Sequence, residues 1–290
     1  MKFWQALSFT EPDQLVDIAC MAEEIGFDGV FLSDHLFHPS ELSSPYPYTE
    51  DGMPPFSADT AFPDTWSVLG AVAAATSKLK LSNSIYILPL RHPLEVAKAC
   101  ATLALLSGGR FALGAGTGWM KEEFEQLGVD FKSRGRRMDE MIAIMRRLWT
   151  GEELEWHGEF FDFAPLRSLP AAPAGGVPVY TGGRSQRALK RAASTADGYM
   201  GAGDSEESAF ELLDSLAEFR REAGRENLPF ECVLPLSVPP APGLLARLEE
   251  KGVSSTVSYP LSYSLGPRSS LDEKRRAMEL YAETVIGPSR

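Results

Sequence analysis

Short apolar runs alternate with longer stretches of helical periodicity along nearly the whole chain. Residues 2–9 (KFWQALSF) read as a strand, and Leu15, Ile18, Ala22 and Ile25 then recur at helical spacing until Gly26 marks a helix end. Residues 27–33 form a second strand, 64–76 a helix, 79–88 a third strand, 94–107 a helix and 110–115 a fourth strand. The alternation resumes with strand 177–181 and helix 185–195, strand 198–201 and helix 206–223, strand 230–236 and helix 243–251, strand 254–259 and helix 271–285. Eight strand-helix units predict an α/β fold, a closed (β/α)8 TIM barrel, in preference to a doubly wound sheet. The strands are apolar throughout, as parallel strands covered on both faces should be.

Two stretches interrupt this rhythm. Residues 34–62 are rich in Pro, Ser and Tyr and lack periodicity. Residues 121–176 exceed what one unit needs: a short helix at 121–127, a longer one through Met138, Ile142, Met145 and Trp149, a hairpin at 154–163 turning at His157-Gly158, and a stiff loop at 170–176. Both are expected to be insertions in a single barrel domain spanning 1–290.

Composition narrows the classes. A formal net charge of -12 leaves no basic surplus for nucleic acid. The one basic cluster, Lys132 to Arg137, is expected to be a solvated helix start. Cys20, Cys100 and Cys232 lie far apart in apolar surroundings, which predicts buried free thiols in a reducing compartment. No secretory signal pattern and no membrane-length apolar run is evident, so a cytoplasmic location without membrane contact is expected.

In a (β/α)8 barrel the chemistry lies at the C-terminal ends of the strands. Asp34-His35 ends the second strand; a carboxylate beside an imidazole can fix its tautomer or raise its basicity. Asn83-Ser84-Ile85-Tyr86 places polar residues in the third strand, either a bulge aimed at a ligand or a polar layer inside the barrel. Gly114-Ala115-Gly116-Thr117-Gly118-Trp119 ends the fourth strand without the dinucleotide glycine spacing. Its glycines suit a close backbone approach or a tight turn, Thr117 adds a hydroxyl and Trp119 an aromatic wall. Gly182-Gly183-Arg184-Ser185 precedes a helix; it reads as a phosphate cradle at a helix start or as a turn with a serine N-cap. Asp34, His35 and His38 also raise a metal-dependent hydrolase, although no further ligand stands at obvious spacing and none is expected.

Taken in order, these strings resemble the luciferase-like monooxygenases, and within them the F420-dependent oxidoreductases of actinobacterial type. The resemblance rests on Glu24 to His35, Leu88 to Pro93, Ala101-Thr102-Leu103, Leu106 to Arg110, Gly114 to Trp119 with Glu122-Glu123, Arg134-Gly135 with Asp139-Glu140, Leu148-Trp149, Gly182 to Ser185 and Asp197-Gly198. It covers about residues 2–200, and Leu103 followed by Ala104 departs from the family's more frequent Leu-Asp. The resemblance implies a barrel with insertions and coenzyme F420, or alternatively FMN, across its mouth. It implies His35 facing the reactive ring with Asp34 beside it, and a bulge with a non-prolyl cis peptide at Ser84-Ile85. It further implies Thr117, Gly118 and Gly182 lining the cofactor, and Gly183, Arg184 and Ser185 at its phosphate. The long loop, with Tyr46, Tyr48, Met53 and Phe56, is the expected lid and substrate selector, and Trp119 the wall beside it. The implied activity is hydride transfer with a small organic substrate; an FMN-dependent monooxygenase and a non-catalytic cofactor binder remain alternatives. A homodimer and a separate F420 or flavin reductase are the implied partners.

Overall fold

Residues 1–173 and 176–290 are described by a computed structural model. In chain order, β1 (Lys2–Ala6) leads to α1 (Leu15–Ile25), β2 (Gly29–Leu32) to α2 (Thr65–Ala75), and β3 (Lys80–Asn83) with β4 (Tyr86–Ile87) to α3 (Pro93–Leu106). Next come β5 (Phe111–Gly116), α4 (Lys121–Gln126), α5 (Arg134–Leu148) and the antiparallel pair β6 (Leu154–His157) and β7 (Asp162–Leu166). Then β8 (Val179–Gly182) leads to α6 (Gln186–Thr195), β9 (Gly198–Met200) to α7 (Glu206–Glu222), and β10 (Glu231–Val233) to α8 (Pro242–Glu250). The chain finishes with β11 (Ser255–Ser258), α9 (Ser262–Leu265) and α10 (Leu271–Tyr281).

Strands β3, β2, β1, β11, β10, β9, β8 and β5 pair side by side in parallel, and β3 pairs with β5 to close the ring. This is the (β/α)8 barrel the periodicity predicts. Alternate strand residues face opposite ways, which makes two cores. Trp4, Ala6, Phe31, Ala112, Tyr180, Met200, Val233 and Val257 fill the interior, while Phe3, Val30, Leu81, Leu113 and Val179 pack outward against the helices. A fully buried side chain of this size stabilises the fold by about 1.5–3 kcal/mol. The helices have local stop and start signals. Gly26, at φ 105°, closes α1; Asp64 accepts from Ser67 N–H at the start of α2; and Ser270 and Glu273 form a reciprocal box at the start of α10.

Several expectations need correction. The third strand is not continuous: it breaks after Asn83, Ser84-Ile85 is cis, and Leu88–Leu90 turns as a 3-10 helix. The side chain of Asp34 captures the Ile87 N–H at 2.9 Å, a donor that a regular strand would give to its neighbour. The first strand stops at Ala6, and the chain turns at Phe9 in left-handed geometry, at φ 60°. The hairpin turn lies between His157 and Asp162, where Glu140 accepts the N–H groups of Glu159, Phe160 and Phe161. The basic cluster is only partly solvated. Arg134 lies over the Phe131 ring and Arg137 donates to Pro89 C=O, whereas Lys132 and Arg136 are exposed. Cys100 and Cys232 are buried free thiols, but Cys20 is half-buried. The centre of the loop expected at 170–176, residues 174–175, lies outside the described residues. Among the described residues no helix is long and apolar enough to cross a membrane.

Candidate active site

A cavity of about 980 Å3 opens at the C-terminal ends of the barrel strands. Its floor and walls bring together segments far apart in sequence: Ser33 to His35 after β2, Ser84-Ile85 at the break, Thr117 to Trp119 after β5, and Gly182 to Ser185 after β8. Asp34, His35, Ser84, Ile85, Thr117, Gly118, Trp119, Gly182, Gly183, Arg184 and Ser185 all line it, as do Tyr46, Tyr48 and Phe56. Met53 does not. It is 63% exposed and lies outside the lining, so the loop presents its aromatic residues rather than Met53 to the cavity.

The expected pairing of Asp34 with His35 is not what forms. Neighbouring residues leaving a strand point apart, and each finds a different partner. Asp34 accepts from Arg91 Nη2 at 2.7 Å and from Ile87 N–H, and Arg91 also donates to Ile87 C=O while lying 4.2 Å from the Tyr86 ring centre. Burial pushes the Asp34 carboxyl up, against the pull of the Arg91 guanidinium and the Ile87 N–H. Asp34 therefore fastens the β2 end to the broken third strand. His35 instead bonds through Nδ1 to Glu123 Oε2 at 3.0 Å. Glu123, on α4, is fully buried, and its Oε1 accepts the Leu36 N–H at 2.7 Å. An acceptor at Nδ1 holds the proton there and leaves Nε2 as the lone-pair nitrogen. Nε2 bonds to no described residue, and His35 faces the cavity.

At the opposite wall, Ser185 caps α6 by accepting from Ala188 N–H, so its hydroxyl has a structural duty besides any ligand contact. Arg184 is not a free cation. Its Nε bonds to Asp204 Oδ1 at 2.8 Å, it donates to Gly203 C=O, and it lies 5.3 Å from the Tyr48 ring centre. Asp204 is almost fully buried, and burial pushes its carboxyl up despite that guanidinium.

The long loop has no regular structure but is pinned at one end. Glu122 accepts from the N–H and hydroxyl groups of both Ser43 and Ser44, at 2.6–3.0 Å. Burial alone would raise this carboxyl, yet those bonds outweigh it and hold it at about 2, below its ordinary 4.5. A carboxyl depressed by folding adds stability that is complete above its unfolded value and lost as the pH falls through the folded one. The anchor should therefore persist well below pH 4.5 and release as the pH approaches about 2. Glu122→Ala should release it at neutral pH, seen as faster amide exchange at residues 43–48 with the barrel strands still protected.

Sequence reasoning missed Glu123, Arg91, Phe9, Phe62, Arg134 and Tyr263 as site residues. Glu123 and Arg91 stood inside strings already singled out, but nothing local tied them to His35 or Asp34. Asp34, His35 and His38, the residues considered for a metal, do not converge. Asp34 is taken by Arg91, His38 Nδ1 bonds to Pro39 C=O, and among the described residues no group of three His, Cys, Asp or Glu side chains could hold an ion.

An uncharacterized protein of Mycobacterium tuberculosis is 37% identical over 289 residues, 99% of either chain. An F420-dependent glucose-6-phosphate dehydrogenase of Nakamurella multipartita is 34% identical over 235 residues, 78% of this chain and 63% of that one. A solved F420-dependent secondary alcohol dehydrogenase, in complex with an F420-acetone adduct, superposes with a TM-score of 0.76 at 19% identity, covering 100% and 99% of the two chains, which speaks for the shared fold. The model of the luciferase-like monooxygenases matches residues 3–243. With most of its length matched and a barrel of the same kind, the chain belongs to the luciferase-like monooxygenase family.

Proposed function

We propose that the protein is an F420-dependent oxidoreductase that transfers a hydride between the deazaflavin and a small organic substrate. The observation that carries this is His35, held at Nδ1 by the buried Glu123 carboxylate with Nε2 open to a large cavity. Kinship to an enzyme named for F420 supports it.

The residues present fit such a cofactor. A volume of about 980 Å3 holds a flat three-ring system with a tail and a substrate beside it. Gly182 and Gly183 leave backbone bare at the β8 end; a Cβ on Gly182 would stand 2.8 Å from Met200 O, and Gly183 has φ 115°. Thr117, Gly118, Gly183, Arg184 and Ser185 would hold the ribityl phosphate side, and Ser84-Ile85 would support the ring. The group, when bound, supplies or accepts the hydride.

The chain's own residues do the rest. His35 Nε2 takes the proton of a substrate hydroxyl, or returns one to a carbonyl oxygen, while Glu123 keeps the imidazole oriented. The loop aromatics, with Trp119, cover the mouth and exclude water. Glucose 6-phosphate, in the name of one relative, is one substrate to compare.

Titration of the protein with F420 and with FMN, followed by fluorescence, tests the assignment. F420 binding at least about tenfold tighter than FMN, a difference of about 1.4 kcal/mol, is expected. Preference for FMN would redirect the reading to a flavin monooxygenase fed by a separate reductase, and binding of neither would end both.

A further inference from the structure

We propose that the substrate lies in an aromatic cage on one side of the barrel mouth, and that it is a flat, uncharged, ring-bearing ketone or its alcohol rather than a sugar phosphate. The reaction assigned to it rests on the F420 reading above. The cage comes from three adjacent strands of the ring, β2, β1 and β11. Phe9 follows β1, Phe56 and Phe62 lie in the loop after β2, and Tyr259 and Tyr263 follow β11. Phe9 is the hub, with ring centres 5.9 Å from Phe56, 5.8 Å from Phe62 and 6.0 Å from Tyr263. The His35 ring lies 5.2 Å from Phe56 and 5.1 Å from Phe62, so a ligand in the cage is beside the open imidazole nitrogen.

Phe9 is the sole non-glycine residue at positive φ among the described residues, at 60°. A bulky L-residue holds that conformation only at a cost that the surroundings must meet, and such positions gather at ligand clamps. Here it turns the ring into the cavity wall.

The charge pattern points the same way. Burial pushes Tyr259 up to about 12, and it raises Tyr46, Tyr48 and Tyr263 as well, so these phenols stay neutral. The cationic side chains in the lining are Lys121, Arg134 and Arg184, which follow β5 and β8 on the other arc of the ring. Each is already engaged, with Glu125, with Gly118 and Phe131 carbonyls, and with Asp204. That arc suits the anionic tail of the cofactor. Arg184 comes near the cage only at its Tyr259 edge, where it is already paired with Asp204. A phosphate beside Phe9, Phe56 and Phe62 would be stripped of water with no unpaired cation to meet it, whereas another ring gains edge and offset contacts with the aromatic faces. In the oxidative direction the alcohol carbon loses a hydride, two electrons, to oxidised F420. Its hydroxyl proton goes to His35 Nε2 and on to solvent, and the C=O bond forms. The reverse direction consumes one hydride and one proton.

Acetophenone with 1-phenylethanol, and glucose 6-phosphate, are the probes. Calorimetry measures acetophenone and glucose 6-phosphate binding with and without F420, and kcat/KM is compared for 1-phenylethanol and glucose 6-phosphate. The aromatic alcohol should be favoured by about tenfold or more, and Phe9→Gly should raise the acetophenone Kd by about tenfold, corresponding to loss of one well-packed ring. Glycine relieves the φ of position 9 and so offsets part of the lost ring packing; the fold should hold, and the F420 Kd should stay unchanged. Tyr263→Ala, at a half-exposed position, should weaken acetophenone in the same sense. Glucose 6-phosphate binding the tighter, or an acetophenone Kd indifferent to both substitutions, would overturn the cage. F420 binding without acetophenone binding removes the cage and leaves the cofactor assignment standing. Acetophenone binding that depends on Phe9, with no F420 binding, does the reverse.

Discussion

Glu123→Gln should lower turnover by about 10²-fold or more at saturating F420, although the substitution changes neither size nor shape. The carboxylate accepts two N–H groups, from His35 Nδ1 and from the Leu36 backbone, in a fully buried site. A glutamine has one carbonyl oxygen, so it can accept from one of these and must turn an NH2 toward the other. If its oxygen stays on Leu36, its NH2 donates to Nδ1, the imidazole proton moves to Nε2, and the nitrogen facing the substrate can no longer take a proton. Glu123 is thus a positioning residue, and its loss should alter the pH profile of kcat as well as its height. His35→Ala removes the proton carrier itself and should cost about 10²–10⁴-fold, while leaving F420 affinity nearly intact. Nitrogen-15 NMR of the His35 ring gives a readout that a purely structural role would not move: the protonated nitrogen should switch from Nδ1 to Nε2 in Glu123→Gln. Wild-type turnover in that variant would remove Glu123 from the mechanism.

That pairing also marks where the sequence stopped being legible. Eight strand-helix units could be read because parallel strands covered on both faces leave continuous apolar runs, and because Gly26 and similar signals punctuate the helices. The end of the barrel carrying the cavity followed from the barrel rule. Partners were harder. Asp34 is next to His35 in the chain and so looked like its carboxylate, but successive residues diverge, and the true acceptor is 88 residues away on α4. Arg184 looked like a free phosphate cation because Asp204 lies beyond the next strand. Phe9 and Tyr263 meet because β1 and β11 are neighbours in a closed ring, a contact between the two ends of the chain that no local pattern encodes. The polar Asn83-Ser84 pair did give warning of the broken third strand, since polar side chains are out of place in an otherwise apolar buried run.

Gly114→Ala should be among the most destabilising single changes on this chain, and Gly116→Ala, two residues on, should not. Both glycines lie in β5 beside the break in the third strand, and they meet different atoms. A Cβ on Gly114 would stand 1.8 Å from the carbonyl oxygen of Asn83. That carbonyl is backbone, at the end of a strand whose residues are registered against both β2 and β5, so it cannot step aside without opening the barrel at its closing seam. A Cβ on Gly116 would instead stand 1.7 Å from Cδ1 and 2.8 Å from Cγ1 of Ile85, side-chain atoms that a change of rotamer can move. Overpacking usually costs about 1–3 kcal/mol, and the immovable partner puts Gly114→Ala at or above the top of that range. Gly116→Ala should fall at the bottom, but Ile85 lines the cavity, so the displaced side chain should intrude where the cofactor ring is expected. Denaturant unfolding and F420 titration of both variants separate the two effects. Gly114→Ala should lose stability first, and Gly116→Ala should lose affinity while the fold holds. The glycines that ordinarily suggest a backbone pressed against a ligand would then be spent, at position 114, on bringing one strand close enough to another to seal the ring.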